Sequence, residues 1–180
     1  MTGDALLLLD VDGPLNPFRS RTARLRGYRS HRMSPAVWSA RQEPGSRALR
    51  RGLRVLLHPG HGARITALPL RPVWATTWTH QANEMISPRV GLPGDLPVIG
   101  WAELFRPDPD GLYWKTREIV AWAAGRPFAW VDDMITEHDA SWVAAHHPGP
   151  ALLLRISPRN GLRERDFTTL TRWHASLDPH

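Results

Sequence analysis

Two aspartates close a short apolar run near the start of the chain. The run reads LLLLDVDG, with Asp10 and Asp12 two residues apart and Gly13 directly after them. Side chains alternate along a strand, so both carboxylates leave the end of a buried strand on the same side. Two buried carboxylates repel each other and lose hydration, and a divalent cation with oxygen ligands would compensate for both effects. The pattern therefore predicts a metal-assisted catalytic site.

Further polar residues follow apolar runs later in the chain. Thr76 and Thr77 follow VWA, and Asp132 with Asp133 follow FAWV. Lys115 is the only lysine among 23 basic side chains, which suggests a place where a compact ammonium is required. Each has an ordinary alternative, because threonine is common in strands, aspartate caps helices and one lysine can survive by chance.

The elements that must position these residues alternate between strands and helices. We expect strands over 5–10, 72–75, 96–99, 128–131 and 151–156, and helices over 63–68, 79–90, 114–124, 138–146 and 163–176. Such alternation predicts an α/β fold, a three-layer α/β/α sandwich with a central parallel sheet. Ligands bind beyond the carboxyl ends of such strands. We expect the polar residues to meet there, beside a helix that has Lys115 at its start.

Arginine is concentrated in one part of the chain. Residues 19–54 hold eleven arginines and one acid, whereas the whole chain has a net charge of +6. Within them, 27–33 and 53–57 could pair as a hairpin, making 18–57 an Arg-rich flap inserted in a single domain over 1–180. A basic segment beside an acidic site suggests a phosphorylated substrate or nucleic acid. The alternative is a solvated insertion whose arginines reflect base composition.

Composition narrows the class of protein. The chain has no cysteine, which excludes disulfides and thiolate metal sites. The apolar run over 6–9 is far too short to cross a bilayer, and acids rather than basic residues surround it, unlike a secretory signal. We therefore expect a cytoplasmic protein without a membrane partner.

The order of these residues resembles the haloacid dehalogenase (HAD) superfamily of phosphohydrolases. Its four motifs match as Asp10-Val-Asp12-Gly13, then Thr76 with Thr77 as the alternative, then Lys115, then Asp132-Asp133. The segments DGPLNP and WATTW are also similar to the small HAD domains of bacterial RNA-repair proteins. The resemblance covers residues 5 to about 156 outside the insertion.

The resemblance implies a flavodoxin-like core and Mg²⁺-dependent hydrolysis of a phosphate ester. The segments over 18–57 and 78–114 are short, so we expect no large cap. Asp10 would be the nucleophile that forms an aspartyl-phosphate, and Asp12 the general acid and base. Thr76 would contact the phosphoryl group and Lys115 would neutralise its charge. The Mg²⁺ ligands would be Asp10, the backbone carbonyl of Asp12, Asp132 and Asp133.

Two points leave the function open at this stage. Pro14 removes an amide that would otherwise face the phosphate, which puts the catalytic rate in doubt. A non-catalytic nucleic-acid or nucleotide binding module on the same fold is the alternative to a phosphatase. Trp78 and Trp114 lie near motif residues and could stack on a base, although core packing is the commoner role of tryptophan.

Overall fold

The computed structural model describes residues 5–177. In chain order the strands are β1 (Leu6–Leu9), β2 (Arg29–Met33), β3 (Leu53–Leu57), β4 (Arg71–Trp74), β5 (Phe128–Asp132) and β6 (Ala151–Arg155). The helices are α1 (Ala36–Ser39), α2 (Arg47–Arg51), α3 (His61–Thr66), α4 (Ser87–Val90), α5 (Thr116–Ala123), α6 (Glu137–His146) and α7 (Glu164–Ala175). A 3₁₀ turn spans Ala23–Arg26 and a π turn spans Ala82–Ile86.

Four parallel strands form the central sheet in the order β4-β1-β5-β6. Strand β1 lies between β4 and β5, so its four leucines are buried on both faces. This explains an unbroken apolar run, because a strand covered on both sides gains nothing from polar alternation. The carboxyl ends of β1 and β5 are direct neighbours, which sets the position of the residues that follow them.

Two apolar layers cover the sheet. On one face Leu7 and Leu9 pack in a cluster that includes Ile65 of α3 and Phe167 of α7. On the other face Leu6 and Leu8 pack in a second cluster, which includes residues of α5 and α6. The predicted three-layer α/β fold is therefore confirmed.

The Arg-rich insertion contains an antiparallel hairpin. Strands β2 and β3 pair from Arg29 opposite Leu57 to Met33 opposite Leu53, which confirms the predicted pairing of 27–33 with 53–57. The hairpin is anchored because Val55 and Leu57 enter the same apolar cluster as β1. The short helices α1 and α2 lie between its strands and are not apparent from the sequence.

Two predicted elements differ from the structure. The predicted strand at 96–99 is only a single parallel bridge between Val98 and Trp74, because Pro97 has no N–H to extend a ladder. The predicted helix at 79–90 is instead the π turn followed by α4. Pro88 cannot donate to the carbonyl of Glu84, and widening the turn accommodates that missing bond.

The ends of the other elements lie within one or two residues of their predicted positions. None of the helices between residues 5 and 177 combines the length and the apolar character needed to cross a bilayer.

Candidate active site

Acids from neighbouring strands meet at the carboxyl edge of the sheet. Asp10 follows β1, Asp132 ends β5 and Asp133 comes next. One carboxylate oxygen from each lies within 4.8 Å of the others, and all three residues are buried. The predicted convergence of residues distant in the chain is therefore present in the structure.

Lys115 joins two of these acids. Its Nζ donates to Asp132 Oδ2 at 2.8 Å and to the Ala75 carbonyl at 2.9 Å, and it lies 3.2 Å from Asp10 Oδ2. The side chain is completely buried. Since a lone buried ammonium would be very costly, the two carboxylates are what allow it to remain charged there.

Aromatic rings complete the surroundings of this ammonium. The ring centroids of Trp101, Tyr113 and Trp114 lie 5.9, 5.5 and 5.7 Å from the Lys115 Nζ. These rings exclude water and present electron-rich faces to the charge. The result is one cation fixed beside the acids in a medium where its charge acts strongly.

The electrostatics of the site disfavour so many free carboxylates. Burial raises the pKa of Asp10 to about 8; Lys115 opposes this rise, and Asp132 adds to it. Burial, together with neighbouring Asp132, also raises the pKa of Asp133 to about 6. Burial alone would lower the pKa of Lys115, but the Asp10 and Asp132 carboxylates outweigh it and raise that pKa.

The donor set therefore fits a divalent cation. Three buried carboxylates face one buried ammonium, which leaves an excess of negative charge when all are ionised. Carboxylate oxygens are the ligands that hard cations such as Mg²⁺ prefer. A metal bound by Asp10, Asp132 and Asp133 would balance this charge and would oppose the rise in the pKa of Asp10 and of Asp133.

The carboxylate of Asp12 lies outside that cluster and is held separately. Its Oδ1 accepts from Asn16 Nδ2 at 2.7 Å and its Oδ2 accepts from Trp78 Nε1 at 2.9 Å. Asn16 in turn accepts from the Leu56 N–H of β3 at 2.9 Å. The hairpin therefore supports the orientation of Asp12 through one side chain, and a contribution of Asp12 to metal binding through its carbonyl stays a prediction.

Both candidate threonines lie at this edge. Thr76 is fully buried. Its hydroxyl acts to lower the pKa of Asp10, but the larger effect of burial outweighs it. Thr77 is half-buried and lines the cleft beside the acids. The role of Thr76 in contacting a phosphoryl group stays a prediction, with Thr77 as the alternative.

The acids open onto a cleft with a volume of about 300 Å³. Asp10, Asp12 and Asp133 are acidic residues among its lining. Much of the remaining lining is apolar or aromatic. It comes from the insertion, from the segment after β4, from the loop before α5 and from the residue after Asp133, and it includes Phe18, Trp38, Trp78, Phe105, Tyr113 and Met134. A ligand in this cleft would contact polar chemistry and flat apolar surface together.

Comparison with known families agrees with this geometry. A family model described as the HAD domain in Swiss Army Knife RNA repair proteins matches residues 6–167. The chain belongs to this family. Of the residues assigned to the four motifs, Asp10, Lys115, Asp132 and Asp133 lie together at one edge of the sheet. The comparisons with curated proteins and with solved structures gave no significant match.

Sequence reasoning missed several residues of this HAD domain. Asn16 and the indole N–H of Trp78 hold Asp12, and Arg41 stacks on Phe105 at the cleft. The spacing of Asn16 four residues after Asp12, in a turn rich in proline, was an available signal for the first contact. No local pattern marks the contact of Trp78 with Asp12 or that of Arg41 with Phe105, because the members of each pair come from distant segments.

Proposed function

We propose that this HAD domain is a Mg²⁺-dependent phosphohydrolase that acts through an aspartyl-phosphate. The observation that carries the proposal is the buried group of Asp10, Asp132 and Asp133, with the Lys115 ammonium between two of its members. A structural ion pair would need one carboxylate rather than three. Perturbed acids beside a cleft are typical of a catalytic site.

In the first step a carboxylate oxygen of Asp10 attacks phosphorus, and the bond from phosphorus to the ester oxygen breaks. Asp12, in its protonated form, gives its proton to the departing alkoxide. The Lys115 ammonium offsets negative charge on Asp10 and on the transferring group. Asp10, Asp132 and Asp133 would hold Mg²⁺, which when bound would neutralise negative charge on the phosphoryl oxygens.

In the second step water attacks the phosphorus of the aspartyl-phosphate. Asp12, now ionised, takes a proton from that water, and the bond between phosphorus and the Asp10 oxygen breaks. Inorganic phosphate leaves and Asp10 is regenerated. The two hydrogen bonds from Asn16 and Trp78 support this role of Asp12, because they hold its carboxylate at the cleft rather than among the metal ligands.

The proposed substrate is the phosphorylated end of a nucleic acid. The family to which the chain belongs is described from RNA-repair proteins. Ten of the eleven arginines in residues 19–54 are exposed, so this segment offers cationic side chains to a ligand, and one of them, Arg41, lines the cleft. Such side chains attract the phosphodiester backbone of a nucleic acid without reading its base sequence.

The direct test is hydrolysis of p-nitrophenyl phosphate and of phosphorylated oligonucleotides, with and without Mg²⁺. We expect turnover that chelation abolishes and that Asp10→Asn reduces by at least about a thousandfold. Asp95→Asn, at an exposed position, is the matched control and should keep full activity. Equal activity of Asp10→Asn and the unaltered protein would overturn the proposal.

The exposed arginines also favour a second candidate, a binding module without catalysis. This candidate predicts salt-sensitive binding of oligonucleotides with no release of phosphate from any substrate. A phosphorylated form of the protein, trapped by acid quench and located at Asp10 by mass spectrometry, would distinguish the enzyme from the module.

A further inference from the structure

Exposed apolar side chains cluster at the mouth of the candidate site. Within residues 5–177 four large apolar side chains are exposed, and three of them line the cleft above the acids: Phe18, Phe105 and Met134, at 52, 37 and 55% exposure. Exposed apolar surface is unfavourable in water, and its concentration at one place marks a contact surface. Trp38 of α1 adds a further ring to the same lining.

The backbone of Phe105 gives a second, independent indication that this cleft is a contact surface. Its φ of +63° lies in the left-handed region, which costs energy for a bulky residue and is found where a local conformation serves a site. Trp114 supports the ring from one side, with centroids 5.3 Å apart. The strained backbone therefore holds an aromatic face at the cleft instead of burying it.

Arg41 covers the same ring. Its guanidinium carbon lies 3.8 Å from the Phe105 ring centroid, and the residue is exposed. A planar guanidinium stacked on a phenyl ring forms a flat, cationic surface at which a further planar group can stack. Both residues line the cleft that holds Asp10 and Asp12.

We propose that this cleft binds the base of the terminal nucleotide whose phosphate is removed, and that the base stacks on the Arg41 guanidinium, which Phe105 holds flat at the cleft. The inference rests on the proposed function, since it places the phosphate at the acids and the base against the guanidinium. Every base has a flat face, so the recognition favours any base over none and selects no sequence.

The occupant is the end of a polynucleotide rather than a free mononucleotide. Arg41 belongs to the segment with ten exposed arginines, which would contact the phosphates that follow the terminal nucleotide. In the hairpin Arg32 lies directly opposite Arg54, and like charges in such a pair repel. A bound phosphate would relieve that repulsion, whereas a mononucleotide has no further phosphate to offer.

The experiment compares trinucleotides phosphorylated at the 3′ or the 5′ end, each made with adenine or with no base at the phosphorylated residue. Binding is measured by fluorescence anisotropy in a chelator, where no turnover occurs, and hydrolysis is measured with Mg²⁺. We expect the adenine form of the preferred end to bind and react about tenfold better than its abasic form.

Two variants test the named residues. Phe105→Leu and Arg41→Gln should each reduce the preference for adenine over the abasic form at least threefold. Circular dichroism spectra and urea midpoints close to those of the unaltered protein would show that the variants are folded. Leu25→Ala, which alters the exposed apolar residue outside the cleft, should keep the full preference.

The outcomes separate this inference from the proposed function. Hydrolysis of both forms at equal rates, with equal binding, would overturn base recognition and leave the phosphohydrolase intact. Preference for adenine in binding, without any turnover, would support the cleft and overturn the enzyme. Binding of AMP as tight as that of the trinucleotide would overturn the polynucleotide end as occupant, and no binding to any probe would overturn the whole inference.

Discussion

Gly13 occupies a position where any side chain would collide with a candidate metal ligand. Its φ is +93°, and an added Cβ would lie 2.4 Å from Asp133 Cβ. Gly13→Ala should therefore displace Asp133, lower the free energy of unfolding by about 1–3 kcal/mol and abolish Mg²⁺-dependent turnover. Urea denaturation measures the first effect, and phosphate release across a Mg²⁺ titration measures the second.

Gly111→Ala separates the collision from backbone strain. Gly111 has a φ of +76°, but an added Cβ would meet nothing within 4 Å. We expect this control to lose some stability through its left-handed backbone and to keep its activity. If both variants kept full activity, close packing of Gly13 on Asp133 would not matter for function.

The hydrogen bond from the Trp78 indole to Asp12 predicts an effect on proton transfer. Trp78→Phe keeps an aromatic ring but removes the N–H donor to Oδ2. The resulting loss of orientation should lower kcat/KM, which reflects the first step alone, about ten- to hundredfold for an alkyl phosphate, whose leaving group needs a proton. A p-nitrophenyl phosphate, whose leaving group is stable as an anion, should lose much less.

This difference between substrates distinguishes positioning of Asp12 from general damage. Trp122→Phe is the matched control, because Trp122 is half-buried on α5 and stacks with Arg126 away from the cleft. It should affect neither substrate. An equal loss on both substrates in Trp78→Phe would show that the indole serves packing alone.

At the scale of elements, Asp139 connects the starts of two helices. Its Oδ2 caps α6 through the Thr136 N–H, and its Oδ1 accepts from Thr116 Oγ1 of α5 at 2.7 Å and from the Tyr113 N–H at 2.8 Å. Lys115 lies between these last two residues. The Asp139 carboxylate therefore fixes the turn that positions the Lys115 ammonium.

Asp139→Asn should weaken this connection in a pH-dependent way. Burial raises the pKa of Asp139, but hydrogen bonds from Thr136, Thr116 and the backbone outweigh it, and the net pKa is lowered. A lowered pKa contributes stability above the unfolded value of about 3.9, and this is lost as the pH falls through the folded value. The variant should be less stable by about 1–3 kcal/mol at pH 7.

The measurement is urea denaturation of both proteins at pH 7 and at pH 3. The difference in the free energy of unfolding should shrink at pH 3, which lies below the unfolded pKa of about 3.9, because the unfolded carboxylate then binds a proton that folded Asp139 resists. Asp95→Asn, an exposed substitution of the same kind, should show no such trend. A constant difference at both pH values would contradict the role of the ionised carboxylate.

The sequence predicted the elements where one physical rule dominates. Fully buried strands such as β1 must be apolar throughout, and polar residues at their ends identified Asp10, Asp132 and the sheet edge. Periodicity did not predict the π turn or the bridge at Val98. Pro88 and Pro97 remove donors at these places, but tertiary contacts decide which conformation results. Asn83, for example, accepts from the Trp74 indole and donates to the Leu96 carbonyl.

The site residues also differ in whether local sequence or only tertiary structure reveals them. Asp10, Lys115 and Asp132 follow from strand ends and from an unusual composition, both visible in the chain itself. The contacts of Trp78 with Asp12 and of Arg41 with Phe105 join segments far apart in sequence, and only the folded arrangement reveals them. The extent of the single domain and the cytoplasmic location stay predictions.

At the scale of the whole molecule, charge is distributed between a basic insertion and an acidic site. Binding of a phosphorylated oligonucleotide should weaken steeply with salt, with log Kd linear in log salt concentration. Hydrolysis of p-nitrophenyl phosphate, a small substrate with no chain of phosphates to contact the exposed arginines, should change little. A flat salt response of oligonucleotide binding would argue against the arginine surface.

Arg32→Gln with Arg54→Gln tests where that surface lies. Removing this opposed pair should reduce the salt slope by about 1–2 and leave turnover of p-nitrophenyl phosphate unchanged. Arg172→Gln, an exposed arginine on α7, is the control and should leave the slope unaltered. If the control had the same effect as the pair, attraction would come from overall charge rather than from the hairpin.

The complete burial of the single lysine has a practical consequence for chemical labelling. Reagents that acylate lysine side chains need an uncharged, accessible amine, and Lys115 in the folded protein is neither. Its acylation therefore requires the surrounding structure to open. The rate at which mass spectrometry detects label at this one position would report how often the carboxyl edge of the sheet unfolds, without a probe being engineered into the protein.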